Sequence, residues 1–246
     1  RAGIDTEGNI TGYQYTVKSF SRINMRSRGD DAGSVLAGHL LGREPENGYG
    51  SRSPEQSYEF ATMRYTEEVI DPLLKVASPL RTAHFRDPMG PEIHFGQECF
   101  IDEVAEAAGI DPVEMRLRHL TDPRDRAVVE LVAEKSGWQP RVGPNPDAGT
   151  GAIRRGRGMA YAQRNGAVNA LVAEVEVNLE SGQVYVPRFI IASDHGQIVN
   201  RKSIKTTIEG NLIMALSRTL LEEVEFDPEM VRSEDWFSYP ILEMEH

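Results

Sequence analysis

Between Leu171 and Leu179 the side chains alternate with a period of two: Leu171, Ala173, Val175, Val177 and Leu179 on one side, Val172, Glu174, Glu176 and Asn178 between them. That period belongs to a pleated strand, whose successive side chains point to opposite faces. Glu180-Ser181-Gly182 then supplies a tight turn, and the pattern resumes in Val184, Val186 and Phe189 to Ala192. The segment predicts an antiparallel hairpin. A sheet with an apolar face needs a cover, and Ser203 to Glu223 offers one, with Ile204, Ile208, Leu212, Ala215, Leu216, Thr219 and Leu220 on one helical face. The expected fold class is α+β, with mixed or antiparallel sheets packed against helices.

Helical signals fill the region from Glu92 to Gly137. Ile93, Phe100, Ile101, Val104 and Ala108 follow the spacing of a buried stripe, and Gly109 supplies a stop. Asp111-Pro112-Val113-Glu114 joins a capping carboxylate to a first-turn proline and opens a second helix through Met115, Leu117 and Leu120. Asp122-Pro123 opens a third, expected to bury Ala127, Val128, Leu131 and Val132 and to end at Gly137. Upstream, Asp5-Thr6-Glu7-Gly8 is a turn, and Tyr13, Tyr15 and Val17 mark a strand over Ile10 to Phe20. Ser21 to Glu55 reads as loop with one helical turn. The prolines and glycines of 140–150 cannot continue a helix or a ladder, so a boundary is expected there, between a first α+β part (1–139) and a hairpin-plus-helix part (151–246).

Charge narrows the partners. The formal net charge is −11, which argues against a phosphate backbone, since such binding needs clustered Lys and Arg. The acid concentrates near the end, in Glu222, Glu223, Glu225, Asp227, Glu229, Glu234 and Asp235. No apolar run is long enough to span a bilayer, and no targeting segment is visible. A single cysteine, Cys99, excludes an internal disulfide and any cysteine-built cluster within these residues.

Several short motifs suggest chemistry. His94 and Glu98 stand four apart, a spacing that lets both reach one metal, although no third ligand accompanies them. Ser193-Asp194-His195 resembles hydrolase residues, but neighbours in sequence cannot adopt triad geometry. Gly156-Arg157-Gly158 has the flexibility to approach an anion or to form a basic turn into a strand. Arg86, in a loop before the first long helix, offers a guanidinium fork for oxygen-rich ligands. Arg28-Gly29-Asp30 is an adhesion-like tripeptide of a kind that recurs by chance.

Read in order, longer blocks say more. Ser78-Pro79-Leu80-Arg81-Thr82-Ala83-His84-Phe85-Arg86, then Gln97-Glu98-Cys99-Phe100-Ile101-Asp102-Glu103, then Gly109-Ile110-Asp111-Pro112-Val113-Glu114-Met115-Arg116 resemble the molybdopterin-binding subunits of xanthine dehydrogenases and aldehyde oxidases. Gly156-Arg157-Gly158-Met159-Ala160, the hairpin from Val172 to Gly182, and Ile208-Glu209-Gly210-Asn211 continue the likeness. That last block, with Ala215-Leu216-Ser217-Arg218-Thr219-Leu220 and Asp235-Trp236-Phe237-Ser238-Tyr239-Pro240-Ile241-Leu242, looks closest to the branch containing isoquinoline 1-oxidoreductases.

The resemblance implies a molybdenum-cofactor-binding fold and, with it, oxidation of aldehydes or N-heteroaromatics by oxygen drawn from water. It implies a molybdopterin cofactor bound only together with the remaining segments of the subunit, and an iron–sulfur subunit as electron partner. By position, Phe85 and Arg86 face the metal's oxygen ligands through backbone amides, and Thr207 stands where the family has a pterin-contacting glutamine. Glycines usually follow that arginine; here Asp87-Pro88-Met89 does, and a proline lacks one amide donor. Met214 also replaces a common glutamine. No stretch after Tyr239-Pro240 matches the family's catalytic glutamate segment, so no catalytic residue is assigned and activity alone is not expected. The alternative is a non-catalytic binding or assembly module that keeps the fold without the cofactor. A partial subunit would also expose apolar surface that its other parts cover.

Overall fold

The computed structural model describes residues 1–20, 35–43, 57–70, 86–87, 90–145 and 148–243. They form two compact units. The first comprises Arg1–Tyr15, Ser53–Tyr65 and Glu92–Ile198, and the second Thr16–Arg52, Thr66–Pro91 and Val199–His246. No described helix is long and apolar enough to cross a membrane.

One three-stranded sheet runs in the order β1 (Ala2–Ile4), β2 (Ile10–Phe20), β3 (Thr62–Ile70). β1 and β2 are antiparallel, with Ala2 opposite Tyr13. Their turn is held by Asp5, whose carboxylate accepts from the amides of Glu7 (2.9 Å) and Asn9 (2.8 Å). Gly8 is required there twice over, because its φ is 81° and a Cβ would lie 2.5 Å from Ile110 Cδ1. The expected strand from Ile10 to Phe20 is β2. Sequence reading found neither β1 nor β3. Within the loop expected at Ser21 to Glu55, a short helix, α1 (Leu36–Leu40), is described, while Arg28-Gly29-Asp30 lies outside the described residues.

The first unit is built on a second sheet, β4 (Ile153–Arg164), β5 (Ala167–Asn178) and β6 (Val184–Asp194), a fully antiparallel meander. β5 and β6 are the expected hairpin. Asn165 and Gly166, both at positive φ, make the two-residue turn that adds β4. Met159, Tyr161, Val168, Ala170, Val172 and Ala192 are buried in the core shared with the helices α2 (Gly90–Ala108), α3 (Pro112–His119) and α4 (Pro123–Ser136).

The caps fall where the sequence placed them. Asp111 accepts from the amides of Val113 (2.9 Å) and Glu114 (3.2 Å), Asp122 from Arg124 (2.8 Å), and Gly137 closes α4 at φ 62°. The buried face of α4 differs by part of a turn from expectation. Asp125, Val128, Val129, Val132 and Ser136 are buried, whereas Leu131 is exposed. An Ala-Val-Val-Glu-Leu-Val-Ala run allows either face. Asp125 selects one, through the hydroxyls of Ser57 (2.5 Å) and Tyr161.

Two other expectations are corrected. The 140–150 segment is no boundary: it lies inside the first unit, and α4 packs on β5 and β6 across it. Arg141 fixes it, donating from its amide to Asp111 Oδ2 (2.8 Å) and from Nη2 to the Arg157 carbonyl (2.7 Å). The helix expected to cover the hairpin, α5 (Arg201–Leu220), belongs to the second unit, and the sheet's apolar face is filled by α4.

β4 is an edge strand, and its outward groups are met by side chains and a loop rather than by a fourth strand. The Arg155 amide donates to the Ala148 carbonyl (2.8 Å), the Arg157 carbonyl accepts from Arg141, and the Met159 carbonyl accepts from Arg116 Nη2 (3.1 Å). The Tyr161 amide donates to Glu98 Oε2 (2.8 Å). A row of unpaired amides and carbonyls invites edge-to-edge association, and helix-borne charge closes it here.

Candidate cofactor-binding site

Of the residues singled out for the cofactor, Arg86 and Thr207 fall in the second unit. Phe85 lies outside the described residues. Arg86 is exposed, one turn before α2, and its carbonyl accepts from Arg218 Nη1 of α5 (3.0 Å). Asp87, where glycine was the family's expected residue, adopts φ 55°, a left-handed conformation that Asp tolerates better than most residues. Its carboxylate sits so close to the start of α2 that a Cβ on Gly90 would meet it at 2.0 Å. The negative charge suits a helix N-terminus.

Thr207 is exposed on α5, where its hydroxyl donates to the Ser203 carbonyl (2.9 Å), and Asn211 Nδ2 donates to the Thr207 carbonyl (2.7 Å). At 3.6 residues per turn, Thr207, Asn211, Met214 and Arg218 share one helical stripe about three turns long. The stripe joins Thr207 and the Arg86 loop without bringing them into contact. Arg218 escaped sequence reading as a site residue, though its place on the Thr207 stripe was a usable signal.

The donor set suits a pterin in part. Thr207 and Asn211 spend hydrogens on their own helix and keep oxygen lone pairs, which match the amino and ring N–H groups of a pterin. Among the described residues no set of three His, Cys, Asp or Glu is placed to share a metal ion, so a metal held here would rely on the pterin's own sulfurs.

The other motifs resolve into structure. Glu98 is buried rather than on a helix surface, and both oxygens are engaged, Oε2 by Arg116 Nε (2.9 Å) and the Tyr161 amide, Oε1 by the Tyr58 hydroxyl (3.1 Å). It is a core anchor, not a metal ligand. Asp194 takes a bidentate pair from Arg124 (3.0 and 2.8 Å) and the Gly196 amide, and these bonds hold its carboxyl down at about 2. Arg157 of the glycine-flanked triplet caps α4 through the carbonyls of Ser136 (3.2 Å) and Gly137 (3.1 Å) and stands over the Trp138 ring.

The first unit is thus α+β on an antiparallel meander, and the second carries the stripe of Thr207, Asn211, Met214 and Arg218 together with Arg86. The profile of the molybdopterin cofactor-binding domain family matches residues 45–245, and the chain belongs to that family, among the molybdopterin-binding subunits of xanthine dehydrogenase and aldehyde oxidase type. It is 38% identical over 252 residues to a nicotinate dehydrogenase subunit of Pseudomonas putida, an alignment covering 98% of this chain and 20% of that protein. It is 36% identical to the beta subunit of isoquinoline 1-oxidoreductase from Brevundimonas diminuta, over 62% of this chain and 19% of that one. A membrane-bound aldehyde dehydrogenase of Gluconacetobacter polyoxogenes shares 32% identity over 53% of this chain and 18% of its own length. The chain thus spans about a fifth of each of these relatives.

Proposed function

We propose that this chain forms part of the molybdopterin-binding subunit of a hydroxylase acting on N-heteroaromatic or aldehyde substrates, with electrons leaving through an iron–sulfur partner. The observation that carries the reading is the 38% identity to the nicotinate dehydrogenase subunit across 98% of the chain. When bound, the cofactor supplies the two-electron redox chemistry for placing a water-derived oxygen on an electron-poor carbon.

This chain's residues hold and orient. Thr207 and Asn211 would offer acceptors to the pterin edge, and by their place in the family blocks Phe85 and Arg86 would supply backbone amides to the metal's oxygen ligands. Arg218 fixes the Arg86 carbonyl and so the direction of that loop. The rest of the subunit supplies the remaining cofactor contacts. The test is turnover of the coexpressed assembly on nicotinate and isoquinoline in 18O-water. Label in the hydroxylated product supports the reading, and a loaded assembly that oxidises neither these heteroaromatics nor simple aldehydes contradicts it.

One observation favours a second reading, a module that keeps the fold without the cofactor: the Thr207 hydroxyl already donates into its own helix. The Thr207→Gln variant separates the two, since a pterin site gains cofactor occupancy from the longer amide and a vestigial one does not.

A further inference from the structure

The segment after α5 holds its largest apolar side chains out in water. Trp236 is 72% exposed and Phe237 96%, yet the turn that carries them is well organised. Asp235 Oδ1 accepts from the amides of Phe237 (3.0 Å) and Ser238 (2.9 Å), and Ser238 Oγ accepts from the amides of Glu234 (2.9 Å) and Asp235 (3.1 Å). The turn is tied to α5 by the Tyr239 hydroxyl on Glu222 (2.8 Å) and the Leu242 amide on Ser217 Oγ (3.0 Å). A loose tail exposes aromatic rings at little cost in order. A hydrogen-bonded turn that points them outward has already lost its freedom, and is preorganised to bind. Trp in particular is enriched among residues that dominate interfaces.

The surrounding charge selects the partner. Glu222, Glu223, Glu225, Asp227, Glu229, Glu234 and Asp235 stand against one arginine in this stretch, Arg232, which is paired with Asp227. A second copy of the same acidic surface is repelled, and so is an anionic lipid surface.

We propose that the Trp236–Phe237 turn is a docking knuckle for a polypeptide that offers an apolar pocket rimmed by Lys and Arg. We assign that partner to the rest of the molybdopterin-binding subunit, an assignment that rests on the function proposed above. Relatives in which the aligned region is about a fifth of the length carry ample chain to supply such a pocket.

The test is binding of this chain to the remaining subunit polypeptide, expressed separately, measured by titration calorimetry at 50 and 300 mM salt as rough bounds on screening. The W236A/F237A variant, whose changes lie on the surface, should keep its far-ultraviolet spectrum and bind at least about thirtyfold more weakly. Asp235→Ala, which frees the turn but keeps both rings, should weaken binding less, and high salt should weaken the wild type. Equal binding by wild type and W236A/F237A overturns the knuckle and leaves the functional reading standing. Failure of the wild type to bind the remaining polypeptide at all overturns the partner and that reading together. Sedimentation of the chain alone should give a monomer; a dimer abolished by W236A/F237A overturns the choice of occupant.

Discussion

Arg116 lies fully buried with its Nε 2.9 Å from Glu98 Oε2, and all five of its N–H groups find acceptors. Nη1 reaches Asp102 (2.6 Å) and the Pro112 carbonyl (3.0 Å), and Nη2 the carbonyls of Glu98 (3.2 Å) and Met159 (3.1 Å). Burial alone weakens a guanidinium's hold on its proton, but Glu98, Tyr58 and Asp102 offset this and the net shift is upward. The pair therefore joins α2, α3 and the edge of β4 through one charged node.

Removing one partner leaves the other buried and unpaired, which costs about 3–5 kcal/mol. Arg116→Met should lower unfolding stability by that order in a urea titration. The double change R116M/E98L should recover part of it, since the buried Glu98 charge is gone, while Asp102 is half-exposed to water and the Tyr161 amide and Tyr58 hydroxyl lose their acceptor. A double variant no more stable than R116M would mean that the edge closure, rather than the charge pairing, dominates.

His119 provides a pH-dependent strap. Its Nε2 accepts from the Ile10 amide (3.0 Å), so the ring is neutral with its proton on Nδ1, directed at the Glu59 carbonyl (3.3 Å). Burial lowers its pKa below the ordinary 6.5, and neighbouring Arg118 adds to the effect. The unfolded chain therefore takes up the proton at a higher pH than the folded one. Stability is fully present above about pH 6.5 and erodes as pH falls from there through the lower folded value. Stability measured from pH 8 to 5 should show this slope, and His119→Gln should flatten it. An unchanged slope in that variant would assign it to other groups.

Asp111 does two jobs with one carboxylate. Oδ1 caps α3, and Oδ2 accepts from Trp138 Nε1 (3.0 Å) and the Arg141 amide (2.8 Å). Asp111→Ala should cost about 2–3 kcal/mol, more than an isolated cap, because buried donors are left without partners. A loss below roughly 1 kcal/mol would reduce it to an ordinary cap. Asp122→Ala, whose carboxylate caps α4 alone, is the comparison.

These sites also mark what the sequence disclosed. Asp111-Pro112, Asp122-Pro123 and Gly137 are local signals, readable because each acts within its own turn. What α5 belongs with was misread for the opposite reason. Ile204, Ile208, Leu212, Leu216 and Leu220 do form its half-buried face, and Ser217 is buried, yet what covers a helix depends on distant chain. Arg116 sat in view inside a family block, but nothing local says that an arginine will be fully buried. For the proposed site, position in the family blocks suggests Arg86 and Thr207, and helical spacing offers Arg218 and Asn211 as further candidates.

Arg218→Ala should release the Arg86 carbonyl and reduce cofactor retention in the coexpressed assembly several-fold, leaving the fold of the chain unchanged. Retention equal to wild type would detach Arg86 from the site.

The central claim is that this chain holds molybdopterin as part of a larger subunit. Its most direct test is molybdenum quantitation by mass spectrometry together with pterin fluorescence after oxidative release. Both are applied to the chain purified alone and after coexpression with the remaining subunit and the iron–sulfur partner. Near-stoichiometric molybdenum and pterin are expected in the coexpressed assembly, and loss of both from the chain alone. An assembly that forms yet contains neither would contradict the claim and leave the non-catalytic module as the function of this fold.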